Sequence, residues 1–223
     1  MLGVPSTGNI QTFAEAGSDN NGFKGTYRDT TEGSYTSRTY NNYVQTGDTK
    51  YGLKITELEG KSNQITNFLT PTSNSSYYDN LITIHQSHGG SWKNYPYKLT
   101  VVDSSGNPVD WTGYMPVWNL SSGEQLHIPT NNLVDATYKG SKIEQEVATE
   151  FSGYTKFIGT SKRGGGDVID EAIIDGMVVK VHIPVDGMQI YYRVLSSPTD
   201  IIFSPVKELV NAANLKESPG KWE

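Results

Sequence analysis

The chain has no cysteine among its 223 residues, which excludes disulfides and cysteine-type zinc sites. It has only 4 histidines, few donors for any other transition metal. No stretch of about 18 apolar residues occurs, so no membrane-spanning helix is expected. Basic runs are missing too: Lys162-Arg163 is the densest pair, and the net charge is −6. Sequence-independent nucleic-acid binding needs a positive footprint, so nucleic acid is not an expected partner. The amino terminus, MLGVPSTGNIQTF, lacks the basic and apolar regions of a secretory signal, and none is expected. Aliphatic residues nearly vanish from Gly22 to Tyr51, where Val44 stands alone.

What is present is the composition of a loop-rich β protein. Glycine numbers 23 and tyrosine 14, while only 35% of residues are hydrophobic and 19% charged. Period-two alternation, which puts one face on a core and the other in solvent, predicts strands at 81–85, 95–102, 114–119, 124–128, 144–150, 153–159, 176–183, 188–195 and 200–203. Turn signals separate them at sandwich spacing. Asp103-Ser-Ser-Gly106-Asn-Pro108 is the clearest of these, with Asp to start the turn and Gly for a positive φ. Tyr51-Gly-Leu-Lys-Ile-Thr also reads as a strand, and PVKELVNAAN at 205–214 as the one clear helix.

These patterns give an all-β fold: an immunoglobulin-like β-sandwich with an extended amino-terminal arm and one short carboxy-terminal helix. The divisions are 1–50, arm; 51–76, strand and linker; 77–204, sandwich; 205–223, helix and tail. The expected core is Val101, Trp118, Leu126, Ile143, Val147, Val179, Val181, Ile183, Ile190 and Val194. The arm has too few aliphatics to bury a core of its own. Its spaced aromatics Phe13, Phe23, Tyr27, Tyr35, Tyr40 and Tyr43 read as anchors for a neighbouring subunit. Deleting 1–50 is then expected to leave the sandwich folded and to impair assembly.

Candidate chemistry is sparse. His85 and His88 are three apart but flank a strand end and a Gly-Gly loop, so the spacing does not build a metal site. Asp167, Asp170, Glu171 and Asp175 lack the alternate-residue pattern of a calcium loop. No Gly-x-Ser-x-Gly and no phosphate loop occurs. Glu144, Glu146 and Glu150 read as the polar face of one strand. No enzyme, metal or cofactor is expected. Of the tryptophans, Trp111 and Trp118 belong to the core pattern. Trp92, with Tyr95 beside it, is the candidate sugar contact, because flat aromatic faces exposed in patches mark binding surfaces.

The run Val101, Val102, Asp103, Gly106, Asn107, Pro108, Val109, Asp110, Thr112 and Gly113 resembles the amino-terminal module of baseplate upper proteins. Those proteins belong to tailed phages of Gram-positive bacteria. A leucine is more usual in that family where Trp111 stands, and the segment before Asp175-Gly is longer here. The resemblance implies a non-enzymatic virion protein, assembled in the host cytoplasm and oligomeric. It would connect the tail core to receptor-binding subunits, with other virion proteins as partners. Two alternatives stay open. One is a head-fibre or capsid decoration protein. The other is a carbohydrate-binding or adhesin sandwich from a secreted protein, with host-surface carbohydrate as its partner.

Overall fold

A computed structural model describes residues 11–12, 27–32, 35–58, 82–86, 90–162, 172–195, 199–204 and 207–213. Among the described residues there are fourteen strands, in chain order. They are β1 (Gln11–Thr12), β2 (Tyr27–Glu32), β3 (Tyr35–Thr46), β4 (Thr49–Glu57), β5 (Thr83–Gln86), β6 (Lys93–Val102), β7 (Trp111–Val117), β8 (Gln125–Pro129), β9 (Leu133–Lys139), β10 (Ile143–Val147), β11 (Tyr154–Gly159), β12 (Met177–Ile183), β13 (Met188–Val194) and β14 (Thr199–Ile202). Helix α1 (Ala172–Asp175) and helix α2 (Lys207–Ala212) are both short. The sequence pattern anticipated α2 but not α1.

The strands make a sandwich. One layer is a nine-stranded antiparallel sheet in the order β1-β3-β4-β6-β13-β8-β11-β10, with β2 also on β3. The other is built from β7-β12-β9 and β14-β5. Trp118 joins these two pieces: its N–H donates to the Ile202 carbonyl at 2.9 Å and its carbonyl accepts the Ile202 N–H at 3.1 Å. The second layer therefore runs from β9 to β5 with one residue as the seam. Between the layers lies a continuous core that includes Leu99, Val101, Leu126, Phe157, Val179, Val181, Ile190 and Trp118. The turn after β6 forms as its residues dictate. The Asp103 carboxylate accepts the N–H groups of Ser105 and Asn107 at 2.9 Å each, and Gly106 takes φ +84°.

Three expectations need correction. The first is the arm. Residues 27–32 and 35–46 are strands of the large sheet, with β3 paired to β4 from Ser37↔Thr56 to Thr46↔Thr49. Tyrosine, rather than aliphatic residues, fills the core here: Tyr40 and Tyr43 are buried with Val44. Three residues apart, they cannot share a face of a regular strand. A register shift between Tyr40 and Val44, with Asn42 at φ 56°, turns both inward. The polar groups buried beside them are matched. Ser37 and Thr56 share a hydrogen bond of 2.9 Å, the Arg38 guanidinium grips Asp29 at 2.6 and 2.9 Å, and the Tyr43 hydroxyl donates to the Phe203 carbonyl at 3.1 Å. Tyr27 lies on β2 and Tyr35 is an exposed residue of β3. Phe13 and Phe23 lie outside the described residues, as does the 59–81 segment that holds the expected linker.

The second is an omission: the alternation predicts no strand at β9. Its sequence, LVDATYK, carries no clean alternation, and register shifts at Val178/Val179 and Lys180/Val181 break the two-residue period against β12. The third is Val147, expected in the core but 80% exposed. Strand β10 pairs with β11 alone among the described strands, and only Ile143 of its inward face is covered. Val147→Thr should therefore change stability by less than about 0.5 kcal/mol, as surface substitutions do. A drop of about 2 kcal/mol in chemical denaturation would show that the site is covered after all.

Candidate functional site

The central strands of the large sheet turn one face to the core and the other outward. Tyr95, Tyr97, Leu126, Ile128, Phe157, Ile190, Tyr192 and Val194 are the buried set. The alternate positions carry Asn94 on β6, Gln125 and His127 on β8, Lys156 on β11, and Tyr191 and Arg193 on β13. Register aligns them in rows. Tyr191 faces His127, His127 faces Lys156, and Lys156 faces Glu146 on β10; Arg193 faces Asn94 on one side and Gln125 on the other.

The connection between β10 and β11, residues 148–153, folds over these rows as a strap. It is tied by the Ala148 N–H to the Tyr154 carbonyl at 2.9 Å and by the Thr130 N–H to the Gly153 carbonyl at 2.9 Å. Phe151 at its centre stacks on Tyr191, with ring centroids 3.9 Å apart and planes within 10°. The same ring meets His127 edge-on at 5.3 Å. Tyr154 packs against Tyr191 at 5.4 Å, and its hydroxyl donates to the Gln189 carbonyl at 3.1 Å. The result is a partly exposed aromatic cluster on a face where a sheet usually shows scattered polar groups.

A chain of charges borders the cluster. Lys156 reaches Glu146 at 3.6 Å and Glu150 at 3.4 Å, and Arg193 lies 3.8 Å from Glu150. Arg193 also donates to the Asn94 amide oxygen at 2.9 Å, and its guanidinium sits 4.8 Å from the centre of the Trp92 ring. Trp92 is 41% exposed. Gly123, whose φ of +85° favours glycine, lies beside the indole, where a Cβ would make ordinary contact at 3.7 Å. Burial opposes ionisation of Glu150, but hydrogen bonding at its own backbone, Lys156 and His127 outweigh it and hold the carboxyl below its ordinary range. His127 is fully buried. Burial, with Lys156 and Arg193 behind it, pushes its imidazole down to about 4 against the pull of Glu150.

Of the residues the sequence singled out, Trp92 belongs to this site. Tyr95 does not. It points into the core, because it alternates with Asn94 and Pro96 on β6. The remaining histidines are dispersed. His85 Nδ1 lies 2.6 Å from Asp200 across the β5–β14 pair, and His182 Nε2 lies 3.0 Å from both oxygens of Asp110. His88, Asp167, Asp170 and Glu171 fall outside the described residues, and Asp175 is buried in α1. Among the described residues no group of three or more His, Cys, Asp or Glu is placed to hold a metal. Sequence reasoning missed Phe151, Tyr191, Arg193, Lys156 and Glu150. The outward period of β13, Gln189-x-Tyr191-x-Arg193, was the available signal.

No family model matches the chain, and no curated protein matches it. Among solved structures, the N-terminal domain of the Streptococcus gordonii adhesin Sgo0707 is similar over 81% of this chain at 14% identity, with a TM-score of 0.47. The chain spans about half of that structure's length, 47%. At this level neither a residue nor an activity is carried across.

Proposed function

We propose that this protein is a non-catalytic recognition module of the adhesin kind, a β-sandwich that binds carbohydrate on the outer face of its large sheet. One observation carries the reading: an exposed Trp92 braced by Arg193 and flanked by the Phe151–Tyr191–Tyr154 cluster and a row of paired charges. Aromatic faces accept the apolar C–H side of a sugar ring. A few fixed amide, guanidinium and carboxylate groups beside them orient its hydroxyls. Tyrosine and tryptophan supply contact area at low entropic cost. The Glu150 carboxylate suits binding rather than proton transfer. A general acid needs a raised pKa, whereas Glu150 is held low and paired to Lys156. The virion reading drew on the resemblance over Val101–Gly113, with a free arm for its assembly, and residues 27–32 and 35–46 are strands of the large sheet instead.

The test is a glycan array followed by calorimetric titration of the best binder. Trp92→Ala should weaken binding at least about tenfold, the equivalent of roughly 1.4 kcal/mol. Its melting temperature should stay near that of the parent, because the side chain is exposed. Unchanged affinity in Trp92→Ala, or an array with no bound glycan, overturns the proposal.

A further inference from the structure

His127 is an anomaly in the outer face. It is the one outward residue of the central rows that is fully buried, and Phe151 of the strap is its edge-on cover. Its Nε2 lies 2.8 Å from the Gln125 amide oxygen. With that oxygen accepting, Nε2 carries the proton and Nδ1 is a bare lone pair. Nδ1 has no hydrogen-bond partner. Adding a proton there creates a buried cation with a donor that nothing receives. The charges around it do not rescue it. Lys156 on β11 and Arg193 on β13 are both positive, and each is engaged with Glu150 of the strap. Glu146 on β10 reaches Lys156 instead. The other neighbours, Tyr191 and Tyr154, are neutral phenols, and Gln125 is already bonded to Nε2.

We propose that the 148–153 strap is a proton-operated cover: protonation of His127 lifts Phe151 and Glu150 off the outer face and dismantles the aromatic cluster. The strap is built for local opening. Thr149, Ser152 and Gly153 are exposed, and two backbone hydrogen bonds tie its ends. Once it lifts, water reaches Nδ1 and the imidazole returns toward its ordinary value of 6.5 from about 4. The sign follows from linkage. The open form binds the proton more tightly, so opening is suppressed above pH 6.5 and favoured progressively as pH falls toward 4. With those two values the open population rises about 20-fold between neutral pH and pH 5. Release of a bound sugar in acid is the functional consequence, and that part alone rests on the carbohydrate reading.

The experiment is NMR on the full chain: titration of the His127 imidazole, and amide exchange of Ala148 and Thr130 normalised to the intrinsic rate at each pH. In the parent, His127 should titrate well below 6.5, and protection of both amides should fall about 20-fold from pH 7 to pH 5 while interior amides of β8 and β11 hold. His127→Gln should abolish that pH dependence. Phe151→Ala should raise the His127 titration toward 6.5 and leave the strap unprotected already at pH 7; it decides the matter if His127→Gln does not fold. A parent His127 that titrates near 6.5, flat protection of Ala148 and Thr130, or loss in step with the interior amides each overturns the proposal. None of these readings needs a ligand, so they stand or fall apart from sugar binding.

Discussion

Removing residues 1–50 is expected to unfold the whole protein. The cut takes away β1, β2, β3 and the start of β4. Tyr40, Tyr43 and Val44 leave the core with it. Each such side chain contributes about 1.5–3 kcal/mol when buried, so the three together hold roughly 5–9 kcal/mol. A domain of this size is stable by about 5–15 kcal/mol in all. The loss goes further, because the backbone of β4 would lose its ladder to β3, Leu53 would lose its cross-strand neighbour Tyr40, and Phe203 would lose the hydroxyl that binds its carbonyl. Circular dichroism and urea denaturation of the truncated chain provide the check. A cooperative transition with an unchanged midpoint would mean that the core closes without β3.

Trp118→Ala is expected to cost about 3–5 kcal/mol, the range for deleting a large buried aromatic. The position is more than a space filler. Its backbone is the seam between β7 and β14, and its indole N–H donates to the Ser204 carbonyl at 3.0 Å. Truncation leaves that carbonyl unpaired in the interior, which adds about 1–3 kcal/mol when no water replaces the donor. Trp118→Phe separates the two effects by keeping most of the volume and losing only the donor. The alanine midpoint in urea should fall far below that of phenylalanine, with the slope unchanged. Equal midpoints for the two variants would place the whole effect on the hydrogen bond.

The sandwich was readable wherever side chains alternate by type. Val101, Leu126, Val179, Val181, Ile183, Ile190 and Val194 all lie in the core as their spacing implied. It was not readable where burial is done by tyrosine and by matched polar groups. In β3 the buried residues include Ser37, Arg38 and Thr39, and an aliphatic count sees none of them. Nor does a strand pattern carry a bulge: the Asn42 irregularity that turns both Tyr40 and Tyr43 inward exists only once β4 is beside it. Most of the candidate site was equally hidden. Trp92 is visible as an aromatic beside Gly-Gly. Phe151 comes from the 148–153 strap and Tyr191 and Arg193 from β13, and only the β8–β13 and β8–β11 registers bring the two segments together.

The acidic strand β10 bears on how these molecules behave when crowded. Its far side pairs with no other described strand, and an unpaired strand is a template on which a neighbouring chain can add itself. Glu144 and Glu146 stand exposed on alternate rungs of it. Two copies meeting there antiparallel would bring carboxylate against carboxylate, and like charges across a ladder repel. At high local concentration the molecules can thus keep their sheets from zipping into a common ribbon. Neutralising both acids to glutamine would remove that guard and leave a strand open to self-association.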